Sequence, residues 1–229
     1  MVRVVEPLDS SENRVSRAAA QRLSQYLRAA DSVASGDGLV SSVELADAVG
    51  VSAAQVRRDL ASVGHLGQRG VGYDVASLTA AIRRTLGVDR RWRAVLVGVG
   101  NLARALVKYR GFSAHGFDLV GLYDTAPRIV GTTIGELRVE PMSQLAESLK
   151  RNRAELGILT VPAEAAQATA EALVAAGVRG LMNFAPVRLR VPDHVAVVAV
   201  DLAIQLQQLA YLVHFSDESP DVDRTRLNT

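Results

Sequence analysis

The sequence predicts an N-terminal winged-helix (helix-turn-helix) domain followed by an α/β domain built on a parallel sheet. Three observations predict it. Two short segments, each opened by a serine with capping-box spacing, flank Val49-Gly50-Val51. A stretch with four glycines in nine residues, Gly64 to Gly72, follows them. Beyond Trp92, short apolar runs alternate with segments of helical periodicity.

The elements follow in order. From Arg14 to Val33, Val15, Ala19, Leu23, Tyr26, Leu27, Ala30 and Val33 recur at helical spacing, and Ser35-Gly-Asp-Gly38 ends that helix. Ser41 and Glu44 open a second helix that stops near Gly50. Ser52 and Gln55 open a third that runs to about Val63. Gly50 permits the left-handed backbone such a turn needs. The glycine-rich stretch predicts a tight hairpin with Arg69 near its tip, and a helix from Ala76 to Leu86 leads to a boundary at Gly87–Arg91. Strands are expected at 94–97, 118–123, 155–160, 180–183 and 195–200, with helices between, notably Ala163 to Ala176. The last helix, about Leu202 to His214, is apolar around much of its surface, which calls for burial on several sides, as in a subunit interface.

Composition narrows the class. At 229 residues the chain has room for two small domains, and 48% hydrophobic with 22% charged residues is ordinary for a globular protein. There is no cysteine, which excludes disulfides, thiol catalysis and thiolate metal sites and fits a reducing cytoplasm. No apolar run reaches the ~20 residues a bilayer span needs, and Met1 to Glu12 lacks a secretory signal's apolar core. A cytoplasmic protein without membrane contact is expected. The small positive excess sits at the front: residues 1–91 hold 12 Lys+Arg and 10 Asp+Glu, and residues 92–229 hold 14 of each.

Gly98-Val-Gly100-Asn-Leu-Ala103 follows a predicted strand and opens a helix, the context of the Rossmann dinucleotide fingerprint. Gly98 allows the tight turn, Gly100 admits the pyrophosphate, and small Ala103 permits helix–strand packing. Val99, Asn101 and Leu102 complete the loop, with the phosphates expected at the helix N-terminus. Asp124 ends the next strand, 21 residues beyond Ala103, where an acid binds ribose hydroxyls and repels a 2′-phosphate. NAD(H) is therefore expected over NADP(H), with Arg128 close enough to weaken that preference. On the third helix Ser52, Gln55, Arg57, Arg58 and Asp59 are polar, while Val56, Leu60 and Val63 can face a core. Gln pairs with adenine and Arg with guanine at base edges. Arg69, with Gly70 and Tyr73 in the wing, is the second candidate DNA contact, Arg69 reaching a phosphate or the minor groove. The plainer alternative is a helical packing domain or a winged helix used for protein contacts.

Four histidines, His65, His115, His194 and His214, show no metal-ligand spacing on one element, so no metal site is expected. No Gly-x-Ser-x-Gly or phosphate-loop lysine motif occurs. An NAD-dependent dehydrogenase with an accessory helical domain is the competing function, but hydride transfer needs a nearby proton donor. The two lysines, Lys108 and Lys150, sit poorly for it, Tyr109 is the one plausible donor, and no catalytic residue is expected. A nucleotide- or CoA-binding protein with a protein-contacting N-terminal domain is a third reading.

Over approximately residues 14–215 the chain resembles the Rex redox-sensing repressors. The stretches that carry the likeness are Arg22-Leu-Ser-Gln-Tyr26, Gln55-Val-Arg-Arg-Asp-Leu60, Arg69-Gly-Val-Gly-Tyr73, Gly98-Val-Gly-Asn-Leu102, Ala105-Leu106, Asn183-Phe-Ala-Pro186 and Val200-Asp201. The resemblance implies a homodimer whose C-terminal helices are exchanged between subunits, bound to an inverted repeat in operator DNA. It implies that Arg22, Tyr109 and Asp201 form a polar network linking nucleotide state to the DNA domains. Ala103 replaces a usual third glycine, Ala126 an aspartate, Leu202 an aromatic, and Val63 and Leu66 aromatics beside the wing.

On this reading 1–13 is a flexible N-terminus, 14–88 the winged-helix DNA-binding domain, 89–200 the Rossmann NAD(H)-binding domain, 201–215 the swapped helix and 216–229 a flexible tail. Thr160-Val161-Pro162 and Asn183-Phe184, continuing to Pro186, should line the nicotinamide side of the cleft with mainly apolar groups. Such a lining favours uncharged NADH over cationic NAD⁺. NADH is then expected to close the dimer and move the third helices out of register with the DNA grooves.

Overall fold

The computed structural model describes residues 15–33, 38–64, 67–68 and 70–217. They form two compact units that divide between Arg91 and Trp92.

In the first unit α1 (Arg17–Val33) is followed by β1 (Leu39–Val40), α2 (Ser42–Val49) and α3 (Ala53–Ala61). Then come β2 (Gly67–Gln68), β3 (Gly72–Asp74) and α4 (Val75–Thr85). The three strands form a small antiparallel sheet in the order β1-β3-β2, with Val40 opposite Tyr73 and Gly67 opposite Tyr73. This is a helix-turn-helix with a wing. Its core is one cluster: Leu23, Tyr26 and Ala30 of α1, Leu45 of α2, Val56 and Leu60 of α3, and Leu78 and Ile82 of α4. The spacing of each set puts one face of each helix inward, as the periodicity predicts.

The helix-turn-helix is fixed by its caps. Ser41 Oγ accepts from the Glu44 N–H at 3.2 Å, and Glu44 accepts from the Ser41 N–H at 2.7 Å, a complete capping box. Gly50 ends α2 in the left-handed region at φ 75°, its N–H donating to Ala46. Two residues later Ser52 starts α3.

The second unit runs β4 (Trp92–Val97), α5 (Asn101–Lys108), α6 (Gly111–Ala114), β5 (Phe117–Asp124), β6 (Thr133–Ile134) and β7 (Leu137–Pro141). A 3₁₀ turn at Met142–Gln144 leads into α7 (Leu145–Asn152), then β8 (Leu156–Leu159), α8 (Ala163–Ala175), β9 (Gly180–Asn183), β10 (Ala196–Ala199) and α9 (Leu202–Asp217). The sheet order is β10-β9-β8-β4-β5-β7-β6, parallel throughout except for β6 with β7. Side chains alternate across it. Val95, Val97 and Tyr123 pack with α7 and α8 on one face, and Ala94, Leu96 and Leu122 pack with Ala103 of α5 on the other. The chain leaves β4 to one side through β5 and returns on the other through β8. The order therefore reverses at β4, and the crevice at the carboxyl ends of β4 and β8 is where open α/β sheets take ligands.

Two features lie outside the sequence reading, and a third bears on an expectation of it. The β6–β7 hairpin turns at Gly135-Glu136 and extends the sheet by an antiparallel edge. The one-turn helix α6 is the second. The expected last helix is present as α9, and Leu202 and Leu206 are 63% and 66% exposed on it, with Ile204, Leu209, Tyr211, Leu212 and Val213 exposed as well. The chain itself does not bury its most apolar helix.

Replacing Ser41 with alanine removes the Oγ that accepts from the Glu44 N–H and leaves only the backbone half of the box, the Ser41 N–H to Glu44. The full chain should lose ~1 kcal/mol of stability, read as a lower midpoint in urea unfolding, with its secondary structure unchanged.

Candidate functional site

Ser52, Arg57 and Arg58 are exposed on α3 and Gln55 is half-buried, all in the part of the helix that meets base edges in such domains. Ser52 Oγ accepts from the Gln55 N–H at 3.1 Å, but the reciprocal half of the expected capping box is missing. The Gln55 amide nitrogen donates instead to Asp59 Oδ1 at 2.8 Å, and its oxygen accepts from Arg58 Nη1 at 3.1 Å. Arg57 donates to Ser42 Oγ of α2 at 2.9 Å. In the wing, the Val71 N–H donates to the Gln68 carbonyl at 3.1 Å, which closes a turn around exposed Gly70. Tyr73 is half-buried with its ring against Gly67, and burial raises its phenol above the ordinary range. Arg69, His65 and Leu66 lie outside the described residues.

Asp59 corrects the sequence reading, which grouped it with the outward-facing polar residues of α3. It is 5% exposed. Arg22 grips it as a fork, Nε to Oδ2 at 2.6 Å and Nη2 to Oδ1 at 2.7 Å, and the Tyr26 hydroxyl donates to Oδ2 at 2.9 Å. Arg22 and Tyr26 are four residues apart on one face of α1, so both reach the same carboxylate where α1 crosses α3. A carboxylate can be buried there because each oxygen has two donors, Gln55 supplying the fourth bond. These bonds, those from Arg22 foremost, hold Asp59 below the usual carboxylate range and raise the Arg22 guanidinium. Burial, then the bond to Asp59, pushes the Tyr26 phenol up to about 12.

In the second unit the glycine loop leaves β4 at Gly98, where φ is +91°. A Cβ on Gly98 would stand 2.7 Å from Val161 Cγ1 and 2.8 Å from the Thr160 carbonyl oxygen, so glycine is needed for both conformation and space. The Thr160 hydroxyl donates to the Gly98 carbonyl at 2.7 Å and pins the ends of β4 and β8 together. Val99 and Ala103 are buried, Asn101 and Leu102 exposed. Gly100 differs from Gly98: its φ of −81° suits any residue, and a Cβ there meets nothing within 4 Å. No side chain caps α5 at Gly100. Among the described residues nothing requires glycine at that position, and what the missing side chain leaves clear is a bare helix N-terminus.

Asp124 ends β5 beside this loop. Its Oδ2 accepts from the Val99 N–H at 2.6 Å and its Oδ1 from the Ala126 N–H at 2.8 Å. A carboxylate has about four acceptor positions, so two remain for hydroxyl donors. Arg128 is exposed on the turn that follows, Val161 is half-buried and Pro162 is exposed at the start of α8. Asn183 is 1% exposed and spends its amide on its own loop: it accepts from the Ala185 N–H at 3.0 Å and donates to the carbonyls of Ala185 and Val187. It shapes the turn that carries half-buried Phe184. A cleared helix N-terminus for phosphates, with an acid at the next strand end for hydroxyls, fits a dinucleotide.

Tyr109 and Asp201 are engaged locally. Tyr109 is half exposed, stacked edge-on against Phe112 at 5.3 Å, and lies over Gly111, where a Cβ would meet its ring. Asp201 accepts from the N–H groups of Ala203 and Ile204 and so caps α9. Among the described residues no group of three or more His, Cys, Asp or Glu could hold a metal ion, and no helix is long and apolar enough to cross a membrane.

Removing the Tyr26 hydroxyl should cost ~1.5–3 kcal/mol, since one bond to a buried charge is lost. The pH dependence has two edges. Asp59, lowered on folding, contributes stability above about pH 4 that is lost as the pH falls through its folded pKa. Tyr26, raised on folding, contributes stability below about pH 10 that is lost as the pH rises toward about 12. Thermal unfolding of the wild type and Tyr26→Phe across pH 9–12 should show a smaller alkaline loss in the variant, with the remainder from Tyr73 and Tyr123, whose phenols burial also raises.

Comparison with known proteins places the chain. Residues 14–61 match the family model described as "Putative DNA-binding protein N-terminus" and residues 89–187 the one described as "CoA binding domain". The chain is 46% identical over 200 residues to the redox-sensing transcriptional repressor Rex of Rhodopirellula baltica, covering 87% of this chain and 84% of that protein. It is similar to a crystal structure of RSP in complex with β-NAD⁺ and operator DNA, with a TM-score of 0.82 and 34% identity over 92% of this chain and 99% of that one. The structure of RSP with β-NADH aligns with a TM-score of 0.79 and 33% identity, over 91% and 99% of the two chains. RSP is a Rex-family repressor. The relatives are regulators by name, which sets the dehydrogenase alternative aside. The chain belongs to the Rex family of redox-sensing transcriptional repressors.

Proposed function

We propose that this chain binds inverted-repeat operator DNA through α3 and the wing and releases it when its Rossmann cleft holds NADH, so that it reports the NADH/NAD⁺ ratio. The observation that carries the nucleotide half is the bare N-terminus of α5, cleared by Gly100 and flanked by Asp124. Asn101, Leu102 and Ala103 supply N–H groups for a pyrophosphate, and Asp124 receives ribose hydroxyls while repelling a 2′-phosphate. On the DNA side, Ser52, Arg57 and Arg58 are exposed on α3 beside half-buried Gln55, and these with Gly70, Tyr73 and Arg69, the last outside the described residues, are the contacts of this reading.

Preference for the reduced nucleotide has a physical cause in the lining. Thr160-Val161-Pro162 and Phe184-Ala185-Pro186 carry no anionic side chain. An uncharged dihydronicotinamide is buried there at little cost, whereas a cationic ring without a partner costs several kcal/mol before residual water reduces it. The exposed apolar length of α9, with Val198 exposed on the edge strand β10, supports a homodimer in which the C-terminal helices are exchanged. In that assembly Arg22, Tyr109 and Asp201 link nucleotide state to the DNA domains. Action on operator DNA and a response to NADH are consistent with a cytoplasmic protein.

Titration of an inverted-repeat operator fragment should show affinity falling ~5–150-fold at saturating NADH, with NAD⁺ far weaker in effect. Unchanged operator affinity at saturating NADH would sink the reading. Two glycine variants separate ligand contact from folding. Gly100→Ala should keep its stability and its operator binding while losing the response to NADH. Gly98→Ala should lose ~1–3 kcal/mol of stability, because both its backbone and its Cβ are strained.

A further inference from the structure

We propose that Asp59 is a positioning residue for operator recognition: it fixes the amide of Gln55, and through it Arg58, and it ties both to Arg22 of α1. The proposal rests on the reading of α3 as the helix that meets DNA.

The chemistry follows from what a carboxylate can do. It accepts hydrogen bonds and cannot donate them. Oδ1 of Asp59 faces the Gln55 side chain, so the amide must present its nitrogen inward, and it does, at 2.8 Å. The amide oxygen is thereby turned toward Arg58, whose Nη1 it draws in at 3.1 Å. A glutamine on a helix surface is otherwise free to flip, exchanging a donor for an acceptor at the same place. Here the flip would set the amide oxygen against a carboxylate oxygen. The sense in which Gln55 offers one N–H and one lone pair to a base edge is set before DNA arrives, and so is one edge of the Arg58 guanidinium.

The same carboxylate leads back to α1. Each oxygen that Asp59 offers is also held by Arg22, Nη2 on Oδ1 and Nε on Oδ2. A fork of this kind fixes the carboxylate plane as well as its place. Loosening the fork rotates the plane, and Gln55, bonded to Oδ1, turns with it. Arg22 thus acts on the DNA-facing groups through Asp59, without touching them.

The test uses the full chain with the inverted-repeat operator fragment and a random duplex of equal length. Asp59→Asn keeps the shape but faces Arg22 with a donor at one of the two oxygens. Arg22→Lys keeps the cation and loses the fork, and serves if the buried substitution does not fold. Either folded variant should lower the operator-to-random affinity ratio by about 5–100-fold, the discrimination carried by one base-pair contact. The slope of log affinity against log salt should stay the same, since no phosphate contact is removed. The side-chain amide resonances of Gln55 should shift in both variants, and Asp59→Asn with Gln55→Ala should be no worse than Gln55→Ala alone. The proposal is overturned by a folded variant with an unchanged ratio, by losses that multiply in the double variant, or by equal loss on both duplexes, which marks a structural role only. If Gln55→Ala weakens operator binding while Arg22→Lys leaves the ratio unchanged, Asp59's role falls and the reading of α3 stands. If Gln55→Ala has no effect, both fall.

Discussion

Four donors converge on one buried carboxylate, and the DNA-binding unit is arranged around that fact. The apolar cluster of Leu23, Leu45, Val56, Leu60, Leu78 and Ile82 supplies adhesion between the helices but little direction. The fork from Arg22, the Tyr26 hydroxyl and the Gln55 amide supply direction, because a carboxylate with four bonds at 2.6–2.9 Å tolerates neither a slide of α1 nor a rotation of α3. Breaking a buried pair by removing one partner typically costs 3–5 kcal/mol, against a total stability of roughly 5–15 kcal/mol for a domain. The same contact holds the unit together and fixes the sense in which the Gln55 amide lies on α3.

The second unit is organised by a different economy, in which backbone approaches replace side-chain bonds. Gly98 lets the end of β4 close against Thr160 and Val161, the Thr160 hydroxyl locks that approach, and Asp124 ties the loop to the end of β5. Three strand ends therefore meet around one loop before any ligand is considered. The first turn of α5 is left open by the same geometry.

What was legible in the sequence was local. Ser41 with Glu44, Gly50 as a stop, and the glycine loop after an apolar run all act within a few residues, and each became the element it predicts. What was not legible depends on distant partners. Asp59 sits between Val56 and Leu60 as a polar residue on a helix, and periodicity cannot reveal that its partners lie 33 and 37 residues earlier on α1. Gln55 has capping spacing to Ser52, but its amide is claimed by the stronger acceptor, the carboxylate one turn on. The β6–β7 hairpin is too short for alternation to register, and its edge is defined only by pairing with β5. Asn183 reads as a polar group at a strand end, where ligands bind, and only the fold of the Ala185–Val187 turn shows how its amide is used.

The exposed apolar girth of α9 has a consequence for dosage. A helix with Leu202, Leu206, Leu209 and Leu212 in water is costly for a lone chain, and in the proposed homodimer covering it and completing the fold are one process. On that proposal the amount of competent protein rises more steeply than the number of chains made. Synthesis rate would then be a second input to repression, set by mass action and independent of the redox state of the cell.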